Sequence, residues 1–169
     1  MIIVADASPL IFLGKIGQLG LVPALFEGTI WIPASVRDEL LAPPISPAEA
    51  RTMGAFLGRC RIVRVTRPER FSTSMSRADS DALTLAIRKR ADRLLADERL
   101  LRDMAVIEGI RPVGTLGVLL LAMQKGLLTA PQTRRCVDEL IRDHHFRISI
   151  ALYESALTHI ANAKKAKRR

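Results

Sequence analysis

Acidic residues at four places in this 169-residue chain could share one piece of chemistry, and their spacing says which. Asp6 directly follows the run "IIVA", and Asp97 directly follows "RLLA". Short apolar runs of this kind read as buried strands, so both acids fall at a strand's carboxyl end. Glu39, in "PASVRDELL", is spaced i, i+3, i+4 with Val36 and Leu40 and shares a helix face with them. Asp38 is turned ~100° away from Glu39, toward solvent. The fourth place lies in "SRADSDALTLAIRK", where Asp79 and Asp81 stand ~200° apart around a helix, so one site cannot easily use both. Asp79 is in phase with Ala82, Leu83 and Ala86, whereas Asp81 points nearly opposite; Asp79 is therefore the expected site residue.

Each acid also has a structural role open to it. Asp97 could cap the helix that follows, Asp6 could close an Asx turn, and Glu39 could pack its stem with its head in water. Ser76-x-x-Asp79 has the form of a capping box. Ser8 and Pro9 have the order of a cap and a first helical residue. Gathered at one sheet edge, however, the four acids would repel one another, and raised pKa values or a bound cation are the usual relief. With oxygen donors and no accompanying histidine, the expected cation is Mg²⁺ or Mn²⁺. Such ions activate water and stabilise the charge on a phosphorane-like transition state, and two-metal sites do both in an in-line displacement.

The elements that must position these acids alternate. "MIIVA", "TIWI", "RIVRV", "RLLA" and "IRPV" read as strands with helical patterns between them, which predicts a parallel sheet flanked by helices. In such a sheet ligands bind outside the carboxyl ends of the strands, where the strand order reverses. "APPISP" and "RPERFSTSMS" read as loops, and the pattern after Gly114 is helical. The expected organisation is a domain core over 1–128, a helical extension over 129–163 packed on the same domain, and a basic tail over 164–169.

Formal charge is +9, and the tail "KKAKRR" supplies five positive charges, so the remainder still carries 9 − 5 = +4. That balance favours a polyanionic partner such as nucleic acid. One Trp, one Tyr and five Phe offer few stacking platforms, so binding would rest on phosphates. Two basic groups are candidates for a backbone path beside the acids: Arg59, Arg61, Arg64, Arg67 and Arg70, and then Arg88, Lys89, Arg90 and Arg93. Cys60 and Cys136 lack metal-ligand spacing and read as reduced thiols, which fits a cytoplasmic protein. The apolar stretch Val113 to Met123 is well short of the ~20 residues needed to span a bilayer, so no membrane partner is expected. "GIRPVGTLG" has Thr115 where a phosphate-binding loop needs lysine, and the adjacent His144 and His145 lack the spacing of a zinc helix.

Taken in order, "VADASPLIFLGKIGQL", "WIPASVRDELL", "SRADSDALTLA", "LLADERLLRDMA" and "GIRPVGTLGVLLLAMQKGLL" resemble a PIN-domain protein of the VapC-like kind. More narrowly, they resemble the subgroup described as predicted nucleic-acid-binding proteins, over about the first 128 residues. The resemblance implies a PIN-like three-layer α/β fold with a central parallel β-sheet flanked by helices. It implies a metal-dependent ribonuclease, often a toxin neutralised by a small antitoxin, and pairing of the chain as a homodimer. It also implies Asp6, Glu39, Asp79 and Asp97 as the metal carboxylates, with the Ser8 hydroxyl and Thr115 close by. Glu98 stands where the subgroup often carries a second aspartate, and Glu98 and Asp81 are taken as supporting acids.

Overall fold

A computed structural model describes residues 1–69 and 71–166, with the backbone alone for 163–166. Arg70 and the last three residues of the basic tail lie outside the described residues. Five parallel strands form the sheet: β1 (Ile2–Ala5), β2 (Thr29–Pro33), β3 (Arg61–Val63), β4 (Arg93–Leu95) and β5 (Arg111–Val113). All five fall on the apolar runs singled out in the sequence. Their order is β3-β2-β1-β4-β5, so the chain lays down strands on one side of β1 and then returns to the other. The order therefore reverses between β1 and β4, where Ala5 pairs with Leu95. Ile3, Val4 and Ala5 are wholly buried, as a central strand covered on both faces requires.

The chain forms two compact units, Met1–Thr115 and Leu116–Arg169. The first holds the sheet with α1 (Ala7–Lys15), α2 (Leu21–Leu25), α3 (Ala34–Leu40), α4 (Pro47–Leu57), α5 (Arg77–Lys89) and α6 (Arg99–Ile107). In the second, α7 (Thr115–Gln124), whose first residue belongs to the first unit, is followed by α8 (Ala130–Asp143) and α9 (Ile150–Ala166). Within that unit α8 packs on α9, and an Arg134–Asp138 pair, with Asp138 also accepting from the Tyr153 hydroxyl, ties the two helices at the surface. Cys60 and Cys136 are free thiols.

Two helices carry the positioning work in the first unit. The first, α1, opens at Ala7 with Asp6 as its N-cap, whose Oδ2 faces the Ser8 amide at 3.5 Å. The cap is thus Asp6 and not the expected Ser8. Asp6 leaves the strand in an extended conformation (φ −83°, ψ 168°) with a carboxylate acceptor already at the helix mouth, so the helix starts ahead of Ser8. The second, α5, packs against β1, β2 and β4 and also against α3 and α6. Its residues Ala78 and Asp81 through Ala86 are all buried, so it is covered nearly all round and is not a one-sided amphipathic helix. A reciprocal capping box starts it: Ser76 Oγ accepts from the Asp79 amide at 3.0 Å, and the Ser76 amide donates to Asp79 Oδ2 at 3.2 Å. Substituting Ser76→Ala removes one half of this box and should cost about 1 kcal/mol, read as a fall of roughly 2–4 °C in Tm for a chain of this size. An unchanged melt would show that Asp79 holds the helix start without its serine.

Candidate active site

At the carboxyl edge of the sheet, Asp6, Ser8, Glu39, Asp79 and Glu98 line one cavity of about 550 Å³. Asp6 enters from the end of β1, fixed there by its amide, which donates to the Leu95 carbonyl of β4 at 2.9 Å. Glu39 comes from the last turn of α3, and Asp79 from the first turn of α5. Glu98 is the exposed N-cap residue of α6. The cavity therefore sits at the reversal of strand order, where an open parallel sheet places its ligands. The segment Ser74–Ser76 forms another part of its wall. The sequence carried no signal for that beyond a polar loop.

Asp6 is 4% exposed, and its carboxyl is pushed up to about 7. Burial is the largest cause, followed by the charge of Asp79; the Ala7 and Ser8 amides pull the other way, and Glu39 adds a further upward push. Glu39 is likewise raised, by partial burial and then by Asp79. Asp6 and Glu39 thus both feel the charge of Asp79, and Asp6, the deeper of the two, is the one pushed up to about 7.

Asp97 is turned elsewhere. Its Oδ1 accepts from the Thr115 amide at 2.7 Å and its Oδ2 from the Thr115 hydroxyl at 2.6 Å. Its pKa is raised by burial, opposed by those two bonds and by Arg102, and none of the other three acids contributes to the shift. The four acids expected to form one cluster are therefore three around a cavity and a fourth that holds the first residue of α7. Nor does Asp97 cap the helix that follows it, since α6 begins from Glu98. Gly114 makes the close approach possible: a Cβ there would stand 2.7 Å from Asp97 Oδ1 and 2.7 Å from an Arg102 nitrogen.

Asp81 is also placed differently from expectation. It is 3% exposed, with its Oδ2 accepting from Ser35 Oγ at 2.6 Å and its Oδ1 buried without a hydrogen-bond partner among the described residues. In place of the single buried face that the spacing implies, α5 is covered by α3 on its far side as well.

The second basic group is not beside the acids. Along α5, Asp79 and Lys89 are separated by ten residues, roughly 15 Å of helix rise, which carries Arg88, Lys89, Arg90 and then Arg93 to the amino edge of the sheet. There Arg88 donates to the carbonyls of Thr66 (2.8 Å) and Arg67 (2.7 Å), pinning the chain after β3. Lys89 lies 4.2 Å from the Trp31 ring centroid and Arg93 lies 5.9 Å from that of Phe26, while Arg90 ends α5 in the left-handed region.

Among the described residues, no group of three carboxylate, imidazole or thiol side chains already forms a cage for a metal ion. Mg²⁺ asks for less: it keeps several waters and is held by one or two carboxylates together with substrate phosphates. A buried aspartate facing two further carboxylates supplies hard oxygen donors of that kind, and a dication would relieve the repulsion that raises Asp6.

The chain belongs to the PIN-domain family: the family model described as "DUF3368: PIN domain" matches residues 2–162, well past the 128 residues that carry the motif resemblance. Its fold is similar to that of a PilT N-terminus domain protein from the hyperthermophilic archaeon Sulfolobus solfataricus, with a TM-score of 0.51 and 17% identity. That likeness covers 70% of this chain and 90% of the other, and at such identity it speaks for the fold alone. No curated protein matches the chain. PIN domains are generally nucleases that act on nucleic acid, typically with divalent metal ions, so the family assigns a nuclease-type function at that coarse level. No helix among the described residues is long and apolar enough to cross a membrane.

The raised Asp6 makes a prediction about stability. Because the folded value (about 7) exceeds the ordinary aspartate value of 3.8, the native state binds more protons than the unfolded state between those pH values. Stability contributed by protonated Asp6 is lost as pH rises through that window. Asn keeps the cap without the charge, so in metal-free buffer Asp6→Asn should melt above the wild type at pH 8, with the gap closing toward pH 4. Thermal melts across pH check this; a gap independent of pH would contradict it.

Proposed function

We propose that this chain is a Mg²⁺- or Mn²⁺-dependent endoribonuclease of the PIN/VapC toxin type. The observation that carries the reading is Asp6, buried at the switch point of the sheet with Glu39 and Asp79 facing it across one cavity. Asp6, Glu39 and Asp79 would hold the ion. A bound dication would supply a nucleophilic water and offset charge developing on the phosphodiester. Asp6 is anchored by backbone at both the strand and the helix, which fixes the deepest donor. Glu39, exposed on a helix end, can adjust to the substrate, and Ser8 offers a hydroxyl on the same wall. Asp97 has a supporting part: by holding Thr115 it fixes the corner after β4 from which Glu98 enters the cavity.

The toxin-type reading adds a small antitoxin partner, a homodimer and cytoplasmic residence. For the antitoxin, support comes from an apolar cavity of about 440 Å³ between α1, α3 and α4, lined by Ile11, Leu19, Leu40 and Met53, which also reaches Glu39. A partner seated there would stand at the mouth of the acid cavity.

A second reading, a nucleic-acid-binding PIN module without catalysis, is favoured by the lack of a three-residue cage among the described residues. Incubating end-labelled single-stranded RNAs with the protein separates the two. Cleavage should require Mn²⁺ or Mg²⁺, stop with chelator, and fall at least about a hundredfold in Asp6→Asn. Equal cleavage by wild type and variant would reject the nuclease reading at this site.

A further inference from the structure

A second cavity, about 720 Å³, adjoins the acid cavity along the same sheet edge, with Glu39 lining both. The acid cavity lies over the ends of β1 and β4. The second lies over the ends of β2 and β3, which its residues Ala34, Ser35 and Arg64 directly follow. Neighbouring strands are about 4.8 Å apart, so the two cavities are separated by two strand spacings, roughly 10 Å. That is the scale of one to two steps along a nucleic-acid backbone.

The lining carries three arginines beside the carboxyl groups of Asp38, Glu39 and Asp81. Arg37, Arg64 and Arg77 border the second cavity, from α3, from the chain after β3 and from the first residue of α5. Arg37 is occupied by Asp38, with Nε 2.9 Å from Oδ1. Arg64 and Arg77 are exposed and make no ion pair among the described residues. Asp81 stands on the inner wall, 3% exposed, with one carboxylate oxygen bound by Ser35 and the other without a partner among the described residues. A carboxyl group on the inner wall offers a phosphate no cationic partner at depth, which leaves the exposed guanidinium groups of Arg64 and Arg77 to receive it. Guanidinium forks suit phosphate oxygens in geometry as well as charge.

The acid cavity needs such help. A phosphodiester approaching Asp6, Glu39 and Asp79 meets like charge, and a dication at the acids neutralises only the local part of it. Cationic arms one nucleotide away would hold the strand while its next phosphate lies over the acids.

We infer that Arg64 and Arg77 form a phosphate subsite for the nucleotide adjoining the scissile bond of a single-stranded RNA. Here both are positioning residues, and the strand lies across the sheet edge from the acids over β1 and β4 toward β3. The inference rests on the ribonuclease reading for the identity of the strand. Its test is independent of cleavage.

Binding of a labelled single-stranded RNA is measured in chelator over a salt series for the wild type, for Arg64→Ala/Arg77→Ala, and for Arg59→Ala/Arg111→Ala. The last pair removes the same charge from the amino edge of the sheet, where Arg59 precedes β3 and Arg111 opens β5. Loss of two phosphate contacts should weaken binding about tenfold at moderate salt and reduce the slope of log K against log salt by roughly 1.4. The amino-edge pair should change affinity less than about twofold. Equal weakening by both pairs, or none by Arg64→Ala/Arg77→Ala, overturns the subsite, as does a wild type that binds no RNA. RNA binding that depends on Arg64 and Arg77 in a protein that never cleaves would remove the nuclease reading and leave the subsite standing. Melts of both double variants within a few degrees of the wild type establish that the comparison is between folded proteins.

Discussion

The first unit is organised around one unfavourable contact: a carboxyl group buried at the end of the central strand with two more carboxylates facing it. A lone buried charge is costly, and like charges beside it raise the cost further. The fold accepts this at Asp6, which keeps its proton to about pH 7, and it fixes the group by backbone bonds that cannot relax away. Strain of this kind persists where surrounding structure over-determines it. Here the determinants are the parallel pairing of β1 with β4, the cap of α1 and the capping box of α5.

The switch in strand order makes that placement possible. With β4 and β5 laid on the far side of β1, the mouth between β1 and β4 is free of a crossover helix, and side chains from α3, α5 and α6 can reach it. The same edge then carries two kinds of cavity in sequence, acidic over β1 and β4 and arginine-rimmed over β2 and β3. On the proposed reading, an anionic polymer is held by one and hydrolysed at the other. The second unit has its own helical packing and its own surface ion pair.

Much of this was legible in the chain, for reasons that can be named. The central strand announced itself because a parallel strand covered on both faces must be apolar, the edge strands β3 and β5 only as short apolar runs behind an exposed arginine, and acids directly after such runs had to lie at the carboxyl edge. Helix phase turned Asp79 inward, and it lines the acid cavity, but the same method put Asp81 on the wrong side, because α5 is enclosed by β-strands and two helices and has no solvent face along most of its length. The direction of Asp97 was not legible: it depends on Thr115, eighteen residues on, and on the missing side chain at Gly114. The basic residues at the end of α5 could have been placed from topology alone. A helix that leaves from the carboxyl edge and feeds the next parallel strand must end at the amino edge, away from the acids.

The central claim is that the carboxylates of Asp6, Glu39 and Asp79 converge on a single dication. Calorimetric titration of Mn²⁺ at pH 8 into the wild type, Asp79→Asn and Asp81→Asn tests it most directly, since the two variants make the same carboxylate-to-amide change two residues apart on one helix. The account predicts one binding event in the wild type, retained in Asp81→Asn and lost in Asp79→Asn. Equal binding by all three proteins, or heat lost only in Asp81→Asn, would contradict it.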